Sequence, residues 1–238
     1  MTKSMKCLNA LDFAGKDIDQ VSIMKTQENR ARDLLAEAAE WRLISLLFDC
    51  PSNDWLKQVA DLATPVADKK LKRAAKAAQK EASEGLFHSI FGPGGPAPGR
   101  EVSYRGWVQP GYMLAELNSF YEAFSYKPIT NEVPDHVAVE TGFIAYLRLK
   151  ELFALENGDN ESADVTSRAS ITFVDDHISK YAQRLSKLLA ASGINYLKLA
   201  GAALFDRVGP DREKSKQIFL PVLDEENEPG FECGGAAI

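Results

Sequence analysis

Histidine stands beside aspartate at two places in the chain, and a carboxylate next to an imidazole is a pairing that general acid–base chemistry uses. The two groups are Asp135-His136 and Asp175-Asp176-His177. Adjacent residues of a helix point about 100° apart and do not face each other, and no candidate nucleophile accompanies either group in sequence. We therefore interpret Asp135 as a helix N-cap beside a histidine that lines a groove, with catalysis as the less favoured alternative. Capping explains the second group equally well.

Histidine and cysteine are too scattered to predict a metal site or a disulfide framework. No histidine lies one helical turn from another histidine or a cysteine, and no CxxC spacing occurs. The sequence therefore predicts no resident metal, and its odd number of cysteines is typical of a reducing compartment. The residues concerned are His88, His136 and His177, and Cys7, Cys50 and Cys233.

Residues 92–111, GPGGPAPGREVSYRGWVQPG, are rich in glycine and proline and cannot form a helix. Irregular segments longer than about 12 residues are uncommon in compact domains and are usually functional or disordered. A dinucleotide fingerprint starting at Gly92 would need a glycine where Ala97 stands. A phosphate-binding P-loop would need Lys-Ser or Lys-Thr where Arg100-Glu101 follow. The segment is thus a candidate binding loop without a nucleotide-binding pattern.

Apolar residues recur with the period of an α-helix over residues 26–208, and almost nothing has the pattern of a strand. The pattern predicts an all-α, single-domain helical bundle of about eight to nine helices. Its most hydrophobic helix begins at Pro134-Asp135 and is apolar on nearly all faces, so it should be central, and Glu140 within it would need a partner for its charge. We expect a loose N-terminal arm at 1–25 and a mobile C-terminal tail at 209–238.

The composition argues against nucleic acid and membrane as main partners. The 238 residues include 28 Lys and Arg against 34 Asp and Glu, a net charge of −6, so no excess of positive charge is present to bind a phosphate backbone. No segment approaches the roughly 20 apolar residues of a membrane span, and charged residues interrupt the N-terminus as no secretory leader would allow. We expect a cytoplasmic protein.

Three segments, in order along the chain, resemble the signatures of the TorD/DmsD/NarJ family of cytoplasmic chaperones for molybdoenzymes. Residues 87–104, FHSIFGPGGPAPGREVSY, are similar to the family's LF-GPG-P-P-ES-Y pattern, in which Phe91, Gly92, Pro93 and Pro98 form the loop motif. Residues 132–140, EVPDHVAVE, are similar to its E-PDH-x-x-x-E pattern, and residues 173–181, FVDDHISKY, to its F--DHL---W pattern. One departure is that Gly99-Arg100 stands where an aromatic residue often precedes the glutamate.

The resemblance implies an all-helical binding protein without catalytic turnover. Members of the family bind the twin-arginine signal peptide and the body of an immature molybdopterin enzyme until cofactor insertion is complete. By this resemblance Asp135 and His136 match the pair tied to signal-peptide binding, and Glu101 and Tyr104 lie in the loop next to it. The predicted signal-peptide and client site comprises Glu101, Tyr104, Trp107, Tyr121, Glu132, Pro134, Asp135, His136 and Glu140.

The expected partner is the apo form of a molybdopterin oxidoreductase subunit, with no nucleic acid and no stable membrane insertion. The chain is expected to be a monomer or a domain-swapped dimer, with residues 92–111 and 125–133 as possible hinges. No cofactor is expected beyond a weak guanine-nucleotide contact or a transient contact with the molybdopterin cofactor. The alternative is a helical nucleotide-dependent factor or enzyme that uses the Asp135/His136 region. A helical regulator that binds a partner helix is more remote, and the sequence does not name the client.

Overall fold

The computed structural model describes residues 8–52, 54–106 and 108–211, with side chains from residue 28 onward. This part of the chain is helical and contains no strand, which confirms the all-α prediction. A single turn of 3-10 helix, Glu101–Tyr104, and a π-helical turn, Val174–Ile178, complete it. The α-helices are α1 (Leu8–Leu47), α2 (Trp55–Ala63), α3 (Lys69–Glu81), α4 (Glu84–Phe91), α5 (Pro110–Ala123), α6 (Val137–Glu156), α7 (Asn160–Phe173), α8 (Ser179–Ala191) and α9 (Asn195–Val208).

Helix α6 lies at the centre of the bundle, as its apolar composition predicts. Its side chains from Val137 to Leu147 are nearly all buried, and Phe143 lies in a cluster of aromatic rings. The ring centroid of Phe143 is 5.0 Å from that of Tyr121 on α5 and 4.8 Å from that of Phe173 on α7. Edge-to-face contacts of this kind add to the energy of burial, so α6 holds α5 and α7 in place around the second motif.

Helix α1 packs antiparallel against α6. Near one end the Ser45 hydroxyl donates a 2.7 Å hydrogen bond to the Ala138 carbonyl, and near the other Arg30 forms a 2.6 Å ion pair with Glu151. The close approach depends on Gly142, because a β-carbon there would lie 2.8 Å from the Tyr126 hydroxyl and 3.0 Å from the Ser45 hydroxyl. These contacts fix the first turn of α6, which carries the second motif.

The N-terminal part of the chain differs from the predicted loose arm at 1–25, because α1 is helical from Leu8. Extending a helix that is already anchored by packing adds one hydrogen bond per residue without a new nucleus, so a segment without clear periodicity can continue it. Residues 1–7 and 212–238 lie outside the described residues, and the mobile tail predicted at 209–238 stays a prediction there. The two hinges and the domain-swapped dimer also stay predictions.

Candidate functional site

The loop after α4 that is rich in glycine and proline, which we call the Gly/Pro loop, pairs with the chain just before α6. The first motif (residues 87–104) and the second motif (residues 132–140) therefore lie side by side. The Glu101 amide donates a 2.8 Å hydrogen bond to the Asp135 carbonyl, and the Val137 amide donates one of 2.8 Å to the Gly99 carbonyl. Arg100 and His136 form the isolated antiparallel bridge that results. The close pairing places the charged side chains of both motifs within reach of one another.

Asp135 is fully buried and binds an arginine of the loop. The Nε of Arg100 donates to both carboxylate oxygens, at 3.0 and 3.1 Å, and its Nη2 lies 2.9 Å from Oδ1. The Val102 amide donates a longer bond, of 3.4 Å, to Oδ2. The predicted role of Asp135 as the N-cap is therefore wrong, because its carboxylate is engaged by Arg100. The site nevertheless shows a carboxylate arranged to accept a guanidinium.

His136 is the N-cap of α6, and its Nδ1 accepts a hydrogen bond of 3.3 Å from the Ala138 amide. The ring is buried, with its centroid 6.0 Å from those of Phe87 and Phe91 on α4. Burial, and after it the charge on Arg100, lowers the pKa of His136 to about 4. The imidazole is thus neutral near pH 7, and it packs in the interior, whereas the sequence prediction placed it in the lining of a groove.

Glu101 and Glu140 form a second buried group with residues of the third motif. Glu101 lies 3.0 Å from Nδ1 of His177 through Oε2, and Glu140 accepts a 2.9 Å hydrogen bond from the Tyr181 hydroxyl. Burial, followed by the negative charge of Glu101, raises the pKa of Glu140 well above its ordinary value. Glu140 therefore has a neutral hydrogen-bond partner in Tyr181, and its surroundings favour the protonated, uncharged carboxyl.

The third motif lies in the π-helical turn Val174–Ile178, in the middle of a continuous helical segment. The predicted helix start near Asp175-Asp176, and with it the capping interpretation, is therefore wrong. A π-helical turn adds a residue to the helix and changes the direction of the side chains that follow, and such turns are frequent at functional sites. Here the turn carries the buried His177 that meets Glu101.

Two of the predicted aromatic residues, Tyr104 and Tyr121, lie in the interior around this group. Tyr104 stacks on Tyr181 with ring centroids 5.7 Å apart and donates a 2.7 Å hydrogen bond to the Pro98 carbonyl. The Tyr121 hydroxyl donates one of 2.9 Å to the Pro134 carbonyl. Both tyrosines are buried, so they hold the loop and the start of α6 in position. Trp107 lies outside the described residues.

The loop motif turns the chain from α4 towards Asp135. Gly92 is the C-cap of α4, where its amide donates to the His88 carbonyl at 3.0 Å, and a β-carbon at Gly92 would overlap that carbonyl. Phe91 is half-buried against Phe87, with centroids 5.2 Å apart, and Pro93 is exposed. These residues set the path of the loop, so the role of the loop motif is largely structural.

Among the acidic side chains near Cys50, Glu132 and Asp49 are half-buried and Glu84 is exposed. Burial, and then the charge of Asp49, raises the pKa of Glu132. Burial also raises the pKa of the Cys50 thiol, with further contributions from Glu84, Asp49 and Glu132. We call Asp49, Glu84 and Glu132 the acidic rim. On the same loop as Glu132, Ile129 is 84% exposed and Val133 is 40% exposed, so an apolar surface adjoins the carboxylates.

Sequence reasoning placed Asp135, His136, Glu101 and Glu140 together, and the structure brings them together. It missed Arg100 as a partner, together with Asp49 and Glu84. Their participation depends on pairings between residues far apart in the chain, such as Arg100 and Asp135, which are 35 positions apart. The one available signal was Arg100 itself, which stands at a position where the family pattern often has an aromatic residue.

Within the described ranges, no three His, Cys, Asp or Glu side chains are arranged to hold a metal ion. In the same part of the chain no helix has the length and hydrophobicity to cross a membrane. The predictions of no metal and no cofactor stay predictions.

Comparison with known proteins connects this site to a family. A family model described as nitrate reductase delta subunit matches residues 59–187, which is more than half of the chain and includes all three motifs. A selenate reductase assembly chaperone protein of Thauera selenatis is 32% identical over 104 residues, which cover 43% of this chain and 52% of that protein. The chain thus matches about half the length of this curated relative. It belongs to the nitrate reductase delta subunit family, and the resemblance to the TorD/DmsD/NarJ chaperones is confirmed.

Proposed function

We propose that this chain is an assembly chaperone for the catalytic subunit of a molybdopterin oxidoreductase. It binds the twin-arginine signal peptide and the apo form of that subunit in the cytoplasm and releases it after cofactor insertion. The proposal rests on family membership and on a relative whose name is that of a selenate reductase assembly chaperone. A chaperone of this kind has no catalytic turnover of its own.

One observation carries the proposal for the signal peptide: the three motifs converge on a cluster of carboxylates that already binds guanidinium groups. We call Glu101, Asp135 and Glu140 the buried acidic cluster. Asp135 binds Arg100 through both carboxylate oxygens, and Glu101 lies 3.4 Å from Nε of Arg105. A carboxylate that binds a planar guanidinium through both oxygens, as Asp135 does, suits a peptide whose defining feature is two adjacent arginines.

The surroundings of the cluster suit the rest of such a peptide. A twin-arginine signal peptide continues from its arginines into an apolar segment, so its receptor needs carboxylates beside an apolar surface. The acidic rim lies beside the exposed side chains of Ile129 and Val133, which offer that combination. The net charge of −6 also favours association with a basic peptide through long-range attraction.

The buried polar contacts have a supporting role in this proposal. His136 begins α6, Tyr121 binds the Pro134 carbonyl and Tyr181 binds Glu140, so the start of α6 and the loop keep one arrangement relative to each other. A binding site held by rigid elements loses less conformational entropy when the peptide binds. The residues that sequence reasoning predicted as contacts thus include several that position the site from inside.

Co-expression with a candidate client tests the function. The full chain is produced with the catalytic subunit of a molybdopterin oxidoreductase from the same genome, in cells that cannot make the cofactor, and complexes are separated by size. We expect the chain to co-purify with the apo subunit, and less well when the two arginines of the signal peptide are replaced by lysines. The absence of any complex with the apo subunit, or turnover of a nucleotide by the chain alone, would contradict the proposal.

A further inference from the structure

The Asp135 carboxylate has no exposed surface while Arg100 lies over it. Arg100 supplies a bidentate contact of the kind that an arginine of a ligand would make, with distances of 2.9–3.1 Å. An external guanidinium therefore cannot reach these oxygens until Arg100 leaves them. In the structure, the principal carboxylate of the predicted site is occupied by a residue of the same chain.

Arg100 is placed so that it can leave. Its side chain is 43% exposed, so a rotation about its side-chain torsions carries the guanidinium into water without opening the core. Arg105, the other arginine on the cluster, is held more firmly. It is 19% exposed, and its Nη1 donates a 2.9 Å hydrogen bond to the Asp176 carbonyl. The carboxylate that Arg100 vacates keeps its position, because the Val102 amide and the backbone pairing of Glu101 with Asp135 do not involve the Arg100 side chain.

We propose that Arg100 is an internal competitor of the client: it occupies on Asp135 the place of one signal-peptide arginine, and the peptide binds by displacing it. This inference rests on the proposed function and adds regulation of the same site. Because the competitor lies in the loop between α4 and α5, displacement removes one side-chain contact between this loop and the start of α6, while the backbone pairing remains. A chain without a client keeps Asp135 paired, so no buried carboxylate is left without a partner.

With this competition, the apparent affinity for the client equals the intrinsic affinity multiplied by the fraction of molecules in which Asp135 is not paired with Arg100. If Arg100 pairs with Asp135 in about nine molecules of ten, removing the competitor tightens peptide binding about tenfold. Arg100→Gln removes the charge and the guanidinium and keeps a shorter polar side chain. A matched control is Arg30→Gln, because Arg30 is 46% exposed and pairs with the buried Glu151 on α6, away from the motifs.

The experiment is a calorimetric titration of three full-length proteins: wild type, Arg100→Gln and Arg30→Gln. The probe is a synthetic peptide with two adjacent arginines followed by an apolar segment of about ten residues. We expect Arg100→Gln to bind about tenfold more tightly than wild type, and Arg30→Gln to match wild type within about twofold. A parallel peptide with two lysines should gain less from Arg100→Gln, because lysine does not make the bidentate contact.

Equal or weaker binding by Arg100→Gln, with wild type still binding the peptide, overturns the inference and leaves the proposed function standing. Failure of both proteins to bind overturns the proposed function and this inference with it. If Arg100→Gln does not fold, Arg100→Lys replaces it, since lysine keeps the charge but loses the bidentate geometry. That variant should bind the two-arginine peptide more tightly than wild type by a smaller factor, and unchanged binding by it also overturns the inference.

Discussion

Burial of His136 as the neutral N-cap of α6 makes the stability of the protein depend on pH in a window that can be calculated. The pKa of His136 is about 4 in the folded chain, against an ordinary value of 6.5. Above about pH 6.5 the imidazole is neutral in both the folded and the unfolded chain. Between about pH 6.5 and 4 the unfolded chain binds a proton that the folded chain does not, so the free energy of unfolding falls as the pH falls.

The size of the effect follows from the difference between the two pKa values. The value pH 5 lies about 1.5 pH units below the ordinary histidine pKa, and each unit corresponds to about 1.4 kcal/mol. The free energy of unfolding at pH 5 is therefore lowered by about 2 kcal/mol through His136. The perturbation that isolates it is His136→Asn. Asparagine is a preferred N-cap and can accept the hydrogen bond from the Ala138 amide, but it does not titrate. Other groups titrate in both proteins, and their contributions cancel in the difference.

The assay is urea unfolding of wild type and His136→Asn, followed by tryptophan fluorescence at about pH 7 and pH 5. We expect the free energy of unfolding of wild type, relative to the variant, to be about 2 kcal/mol lower at pH 5 than at pH 7. The control is His88→Asn, because His88 on α4 has a 62% exposed side chain and this variant removes a histidine that is not buried. A wild-type-minus-variant difference that is the same at both pH values would refute the assignment of His136 as a buried neutral cap.

Two further substitutions test the interior of the site. Glu140→Gln should become more stable relative to wild type as the pH rises from about 5 to 8. Because the pKa of Glu140 is raised in the folded chain, the wild-type protein loses stability as the pH rises above the ordinary carboxyl pKa. Glutamine does not titrate, so the variant does not lose stability in this way. Urea unfolding across that range measures the difference in the free energy of unfolding, with the exposed Glu122→Gln as control. A difference between Glu140→Gln and wild type that does not change with pH would show that Glu140 is solvated. Gly99→Ala should lower the free energy of unfolding by about 1–3 kcal/mol, because the added β-carbon would overlap the His136 ring. Gly111→Ala on α5, where a β-carbon meets open space, should not lower the thermal midpoint, and equal midpoints for both alanine variants would rule out the close approach at Gly99.

The fold could be predicted from the sequence because hydrophobic periodicity and helix-breaking residues are local signals. The apolar faces of α6 predicted its central position, and Gly92 with its prolines predicted the end of α4. The start of α1 was not accessible in this way, because residues 8–25 continue a helix whose packing begins later in the chain.

The sequence predicted which residues belong to the candidate site, but it did not predict that they are buried. Family motifs named Glu101, Asp135 and His136, and these residues do lie together. Their burial could not be predicted, because it depends on contacts between segments far apart in the chain, such as those of Asp135 with Arg100 and of Glu101 with His177. By local rules Asp135 was the better N-cap, but the ion pair with Arg100 leaves that role to His136.

The π-helical turn was missed for a related reason. Nothing in the spacing of Asp175, Asp176 and His177 distinguishes a helix start from a turn with one extra residue. The turn carries the contact between His177 and Glu101, which lie 76 residues apart in sequence, and local spacing does not predict a contact over that distance.

The central claim, that the buried acidic cluster receives the arginines of a client signal peptide, is tested most directly by Asp135→Asn in the full chain. Asparagine keeps the size of the side chain and loses the charge, so the variant should fold and should bind the two-arginine peptide about 1–3 kcal/mol more weakly than wild type in a calorimetric titration. Wild-type binding should weaken as salt is added, and the variant should have lost part of that salt dependence. Unchanged affinity and unchanged salt dependence in a folded Asp135→Asn protein would contradict the claim.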